Sequence, residues 1–237
     1  EVHHCAAWIN FLFPYATLKP SNVTGTEEAL RFACAGSTKP FHYISTLGVF
    51  CGTQHATKTV SEGTPPGPCA PVALGYEQSK WVAERLVIQA RERGLPVTIY
   101  RTPFLTGHSI TGAWDATDLY RLMLRGCIDM GATPDWDHVL AAVPVDCVSQ
   151  GIIRLSRQQE SEGKIFHLSH PAPISWGDFM KHVAQQGYPL RVLPVGEWLG
   201  LLHGSLEQRR SNALAPVRPL FQPNADDGQT ILDRLSR

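Results

Sequence analysis

The sequence predicts an α/β domain built on a parallel sheet. Three observations carry that prediction. Short apolar, β-branched runs alternate with helical segments in the order strand, helix, strand, helix, strand between Val2 and Arg101, the rhythm of crossover units. With 43% apolar and 18% charged residues, 237 residues are enough to bury a sizeable core. Gly and Pro then punctuate the chain between these runs rather than inside them.

Taken in order, Val2 to Ala7 reads as a strand, and the two prolines of FLFPYATLKP predict a loop after it. From Pro20 or Ser21 to Gly36, acidic residues come early and apolar Ala29, Leu30, Phe32 and Ala33 fill the body, as a helix requires. FHYISTLGVF reads as a buried strand running into a loop, and residues 51–74 form a long Gly/Pro/Ser/Thr connection. A helix is expected over residues 75–93, ending at Gly94, followed by the strand PVTIYR. Beyond Arg101 come a loop, a helix near 117–126, a strand VLAAVPV, a helix from Asp146 to about Arg157 and a strand KIFHLS. Ser175, with Asp178 three residues on, predicts one more helix start. After about residue 190 no period is legible. Trp114 and Trp136 flank the loops of this part and are candidates for pocket lining.

Lys plus Arg is 21 and Asp plus Glu is 21, so no net field draws the chain to nucleic acid or to an anionic membrane. The cysteines Cys5, Cys34, Cys51, Cys69, Cys127 and Cys147 have neither CxxC nor metal-finger spacing and read as buried free thiols of a reducing compartment. His3, His4 and Cys5 are adjacent on a strand and face opposite ways, so no metal site is expected. No apolar stretch approaches the roughly 20 residues of a membrane span, and no secretory leader opens the chain. A cytoplasmic protein is the expectation, and the NVT string at 22–24 carries no weight as a glycosylation acceptor.

The chemistry concentrates in GYEQSK. On a helix, Tyr76 and Lys80 differ by about 40° in direction and about 6 Å in rise, so both point to one side. A lysine ammonium about 4 Å from a phenol favours the phenolate by on the order of 4 kcal/mol at an effective dielectric near 20, before desolvation. Such a pair makes Tyr76 a proton donor and Lys80 its tuner. A carbonyl accepting hydride also needs a fixed hydroxyl beside its oxygen. Thr46, with Ser45 next to it, stands at the carboxyl end of a strand, where open α/β sheets bind ligands.

Several ordered motifs, HCAA (4–7), NVTGTEEAL (22–30), ISTLGVFCG (44–52), YEQSK (76–80) and YRTPFLTG (100–107), resemble the extended short-chain dehydrogenase/reductases. GYEQSKWVAERL, RGLPVTIYRTPFLTGHSITGAW and VPVDCVSQGI are similar to the thioester reductase domains that terminate nonribosomal peptide synthetases and carboxylic acid reductases. The resemblance runs to about residue 180. It implies a Rossmann-like parallel sheet, incomplete at the N-terminus, with a smaller C-terminal substrate lobe: residues 1–105 as core of the nucleotide-binding part, 106–237 mainly substrate lobe. It assigns Thr46, Tyr76 and Lys80 to the catalytic triad and Asn22 to the residue completing a proton-relay tetrad. Asn22 also reads simply as a helix-start residue. Ala6, Ala7, Tyr76, Lys80 and the segment Thr102, Pro103, Phe104 and Leu105 would contact the cofactor, NADPH.

The partner implied is a phosphopantetheine-bound acyl thioester on a carrier protein, its arm entering past the C-terminal lobe, reduced to an aldehyde or alcohol. The family's glycine-rich GxxGxxG turn, which binds pyrophosphate, does not occur in these residues, and residue 1 aligns with the family's fourth strand. A non-redox alternative is a truncated relative that binds the carrier-bound thioester for cyclisation and release, or is inactive. Nicotinamide binding separates the two.

Overall fold

A computed structural model describes residues 1–51, 59–68, 74–207, 212–223 and 228–235. The chain begins with β1 (Val2–His4), α1 (Tyr15–Lys19), a π-helical turn (Pro20–Thr24), α2 (Gly25–Cys34), β2 (Phe41–Thr46), a 3-10 turn (Leu47–Phe50), α3 (Gly75–Glu92), β3 (Val97–Thr102) and β4 (Phe104–Thr106). It continues through α4 (Leu119–Met130), β5 (Ala132–Asp135), β6 (Val139–Leu140), β7 (Ala142–Pro144), α5 (Val145–Ser156), β8 (Ile165–His167), β9 (Ile174–Ser175), α6 (Trp176–Gln185), β10 (Arg191–Pro194), α7 (Val195–Glu207) and α8 (Ile231–Leu235). Two compact units result: Glu1–Leu105 with Val145–Ser169, and Thr106–Pro144 with His170–Arg237.

The first unit holds the sheet, in the order β1-β2-β3-β8 with every pair parallel. The α/β class expected from the alternating pattern is thus the one observed. Phe41 and Tyr43 of β2 and Val97 and Ile99 of β3 alternate onto the face that meets Leu30 and Ala33 of α2 and Ala83, Val87 and Ile88 of α3. Those helical positions recur at intervals of three to four and form one apolar stripe, while the strand positions recur at two. Each fully buried large side chain in this layer contributes roughly 1.5–3 kcal/mol by leaving water.

The prolines near residues 14–20 do not keep that stretch in a loop. Pro14 occupies the N-cap of α1, and Pro20 begins the π turn, where the Gly25 N–H donates to the Pro20 carbonyl. A wider i to i+5 turn absorbs a ring that an α-helical interior would reject, so the helical run starts at Tyr15 rather than at Pro20. The run 139–145 also differs: it divides into β6 and β7, separated by Ala141.

Gly75 opens α3 against the backbone of the 13–15 segment; a Cβ there would lie 2.6 Å from Tyr15 N and 2.7 Å from Pro14 C. No side chain can rotate away from a backbone clash. Gly75→Ala is therefore expected to destabilise the first unit by about 1–3 kcal/mol, the range for overpacking, read as a lower urea midpoint at unchanged slope. A wild-type midpoint would contradict the close approach.

In the second unit β5 pairs with β10 in parallel and β6 with β9 antiparallel. Asp118 caps α4 by accepting from the Arg121 N–H at 3.1 Å, and Gly131 ends it at φ 61°. Ser175 caps α6 through the Asp178 N–H at 3.0 Å, as its sequence spacing predicts. Trp136 is a core residue and not pocket lining: it is buried, stacks on His138 at 4.2 Å and donates to the Leu232 carbonyl.

Residues 191–207, without a legible period, form β10 and α7. The helix VGEWLGLLHGSLE contains three glycines of poor helix propensity, and burial of Trp198 and Leu202 offsets it. The thiols also differ from expectation. Cys127 is buried, whereas Cys5, Cys34, Cys51 and Cys147 are exposed; all five are free, and Cys69 lies outside the described residues.

Candidate active site

Parallel strands present their carboxyl ends together, and three of the expected site segments begin there. Ala6 and Ala7 follow β1, Thr46 ends β2, and Thr102 ends β3 directly across from Thr46 in register. Ala6 is exposed and Ala7 half-exposed, so only methyl groups cover the backbone after β1. Pro103, Phe104 and Leu105 continue from Thr102, each half-buried. Tyr76 and Lys80 project from the first two turns of α3, which packs on β2 and β3.

The hydroxyls of Ser45 and Thr46 point in different directions. Ser45 is 2% exposed and donates to Glu84 Oε2 inside the core. Thr46 is half-exposed, and its Oγ1 accepts from the Gly48 N–H at 3.0 Å, which leaves its own O–H to donate. Of the two hydroxyls, that of Thr46 is the one left accessible.

Lys80 is 4% exposed. Its Nζ donates to the Ile44 carbonyl at 2.9 Å and sits 4.4 Å over the Tyr43 ring, a cation–π contact. Burial lowers its pKa to about 8, with Glu84 and then Cys5 opposing that fall. The Tyr76 phenol is not lowered towards neutrality as the spacing predicts. Burial pushes it up, and the Glu77 carboxylate adds to the rise. Desolvation of the phenol outweighs any lowering by the Lys80 ammonium, which donates one hydrogen to Ile44 and stands over Tyr43. Tyr76 accordingly keeps its proton at neutral pH, the form a donor needs. The ring of Phe11 packs edge-on against it at 5.5 Å.

Asn22 is 1% exposed in the π turn. Its Oδ1 accepts from the Trp8 N–H at 2.6 Å, and its Nδ2 donates to the Trp8 carbonyl at 3.0 Å and to Ser79 Oγ at 2.9 Å. Ser79 Oγ in turn donates to the Tyr76 carbonyl at 2.7 Å. Both amide hydrogens are committed, so the side chain holds the segment after β1 and the first turn of α3 in place. Its backbone carbonyl accepts from Thr26 Oγ1 at 2.7 Å; having given up its one hydrogen, Thr26 accepts from His4 Nε2 at 2.9 Å. Sequence reasoning missed this His4–Thr26 link, whose members are 22 residues apart.

His4 is held below its ordinary pKa by burial and then by the Lys80 charge. His42 and His167 are lowered as well, burial being the largest cause in both. Each binds fewer protons folded than unfolded between its depressed pKa and about 6.5, so stability rises with pH there. The first unit is expected to lose stability as pH falls below about 6.5. Melting temperatures across that range check this, with His4→Gln reducing the slope; a flat profile contradicts it.

A carboxylate and two imidazoles, Glu1, His3 and His42, also lie together, ligand atoms within 4.8 Å of one another. The two rings are stacked at 4.6 Å with planes 19° apart. Their in-plane lone pairs run side by side rather than towards one point, which a tetrahedral ion requires. No helix among the described residues is long and apolar enough to cross a membrane.

Comparison with known proteins bears on the family and the fold. Residues 1–152 match an NAD-binding family described as "Male sterility protein". A linear gramicidin synthase of Brevibacillus parabrevis is 38% identical over 223 residues, 93% of this chain and 4% of that protein. The crystal structure of the terminal R domain from the myxalamid PKS-NRPS biosynthetic pathway superposes with a TM-score of 0.84 at 41% identity, covering 91% of this chain and 55% of that one. A thiolation-reductase di-domain from an archaeal non-ribosomal peptide synthetase shares the fold, with a TM-score of 0.74 at 23% identity over 91% of this chain and 47% of its own length. The chain thus spans about half the length of these solved reductases. With its matched residues 1–152 containing every strand-end and α3 position described above, the chain belongs to the NAD-binding "Male sterility protein" family, and it is similar to the terminal reductase domains of peptide synthetases.

Proposed function

We propose that the protein carrying this chain reductively releases an acyl or peptidyl thioester from a carrier protein, using NADPH. The observation that supports this most directly is the placement of a donating hydroxyl on Thr46 at the carboxyl end of β2, and of a protonated phenol on Tyr76 and a buried ammonium on Lys80 in the first two turns of α3, with Ser45 turned away. The likeness to a terminal R domain and to a thiolation-reductase di-domain supports release from a carrier as the setting.

The residues present fit the nicotinamide end of such a cofactor. Small, accessible Ala6 and Ala7 would let a ribose approach the backbone after β1, Lys80 would supply a buried donor, and Thr102, Pro103, Phe104 and Leu105 would help to hold the nicotinamide. When bound, the cofactor supplies hydride to the thioester carbonyl carbon. Thr46 donates to the carbonyl oxygen, lowering the cost of the charge that develops there. Tyr76 passes its proton to that oxygen, and Lys80 stabilises the phenolate left behind. Breaking of the carbon–sulfur bond then yields the aldehyde and the free pantetheine thiol. Residues 106–237 act mainly as the substrate lobe in this scheme.

The test uses the full-length protein, NADPH and an acyl-pantetheine thioester, following loss of reduced-nicotinamide absorbance and trapping the aldehyde. Consumption coupled to aldehyde is the expected result. Binding of the thioester with no consumption of NADPH or NADH would sink the proposal.

A further inference from the structure

Beneath the proposed triad lies an ion pair that no assigned role explains. Arg101 of β3 and Glu84 of α3 have side chains at 0% exposure. Arg101 Nη2 donates to Glu84 Oε1 at 2.7 Å, and its Nε lies 3.1 Å from Oε1 and 3.3 Å from Oε2. Arg101 Nη1 donates to the Thr64 carbonyl at 3.3 Å and to His167 Nε2 of β8 at 3.2 Å, and the guanidinium lies 4.8 Å over Phe50. Glu84 Oε2 also accepts the Ser45 hydroxyl of β2.

A fully buried pair is a poor route to stability, because desolvation of both ions cancels most of their attraction, and apolar replacements of similar volume are often as stable. What it supplies is register. Glu84 lies one helical turn beyond Lys80, and these two residues engage consecutive residues of β2: Lys80 the Ile44 carbonyl, Glu84 the Ser45 hydroxyl. Two such pins fix both the rotation and the axial position of α3 on the strand. The residue that follows Ser45 is Thr46, and the residue one turn before Lys80 is Tyr76. One residue on the strand and one helical turn on α3 therefore separate the two pins from the two hydroxyls that must meet one oxygen.

We propose that Glu84 is a positioning residue of this site: clamped by Arg101, its carboxylate holds the strand end bearing Thr46 and the helix bearing Tyr76 and Lys80 in register. The inference rests on the reductase reading for its kinetic consequence. It has a second consequence that does not. Around the Lys80 ammonium stand Glu84 on its own helix, His4 at the end of β1 and Cys5 just after it, and the Tyr43 ring on β2. Of these, Glu84 is the first of the groups that keep Lys80 charged against its burial.

The experiment compares the full-length protein with Glu84→Gln, Ser45→Ala and the double variant Glu84→Leu/Arg101→Met, which removes both ions and leaves no unpaired charge. In the double variant kcat is expected to fall about ten- to a hundredfold, with KM for reduced nicotinamide held within about twofold and cooperative unfolding retained; misplacement of reacting groups by about 1 Å has effects of this size. Ser45→Ala, which keeps the ion pair, lowers kcat in the same direction by a smaller factor. In Glu84→Gln, the Lys80 titration midpoint followed by lysine NMR drops below that of the wild type, because Glu84 is the larger of the two groups that oppose its lowering by burial. Wild-type kcat in a folded double variant overturns the positioning role, as does an unmoved Lys80 midpoint. A wild-type protein that oxidises no reduced nicotinamide would instead remove the reductase reading, and the Lys80 midpoint would still decide for or against Glu84.

Discussion

Tyr76→Phe is expected to lower kcat for thioester reduction by about 10²–10⁴-fold, the contribution of a positioned general acid. The substitution removes one oxygen from a half-buried ring whose packing against Phe11 at 5.5 Å is kept, so the fold should be unchanged. KM for the cofactor should stay near the wild-type value, because the lost interaction matters when charge develops on the substrate oxygen. The pH profile adds a check. Burial keeps the phenol protonated well past neutrality, so Tyr76 contributes no limb near pH 7. Lys80, lowered to about 8, loses its charge as pH rises through that value, and activity should fall there. Equal wild-type and Tyr76→Phe rates would remove Tyr76 from the chemistry.

Arg101→Met is expected to destabilise the first unit by about 3–5 kcal/mol, the cost of leaving one partner of a buried pair without the other. Glu84 would remain at 0% exposure with only the Ser45 hydroxyl of its present partners, while Thr64 and His167 would each lose a donor. Adding Glu84→Leu should restore most of that loss, although it deletes a further polar contact. Urea unfolding of the wild type, the single and the double variant forms the check. A single variant within about 1 kcal/mol of wild type would contradict the buried pair, since exposed pairs are worth no more than that.

Much of the scaffold was legible because it follows from local periodicity. The α3 stripe, the β2 and β3 alternation and the Ser175 cap each lie within a window of a few residues, where side-chain direction depends only on helix or strand geometry. The helix that crosses Pro14 and Pro20 was not, since a π turn that tolerates proline depends on what packs around it. Nor was α7, whose glycines deny the propensity that its buried Trp198 and Leu202 replace.

The site divides the same way. The sequence by itself determined which residue types stand at the strand ends and on one face of α3, because spacing of one and four residues sets direction on a strand and on a helix. The proposal of Thr46, Tyr76 and Lys80 rests on that placement together with the resemblance of the motifs around them. Only the tertiary structure decided that Ser45 turns inward to Glu84, that Asn22 spends both amide hydrogens on Trp8 and Ser79, and that burial raises rather than lowers the Tyr76 phenol. These outcomes depend on partners 14 to 57 residues away and on exclusion of water. Desolvation and long-range hydrogen bonds arise only when distant segments close on one another, so no local pattern can state them.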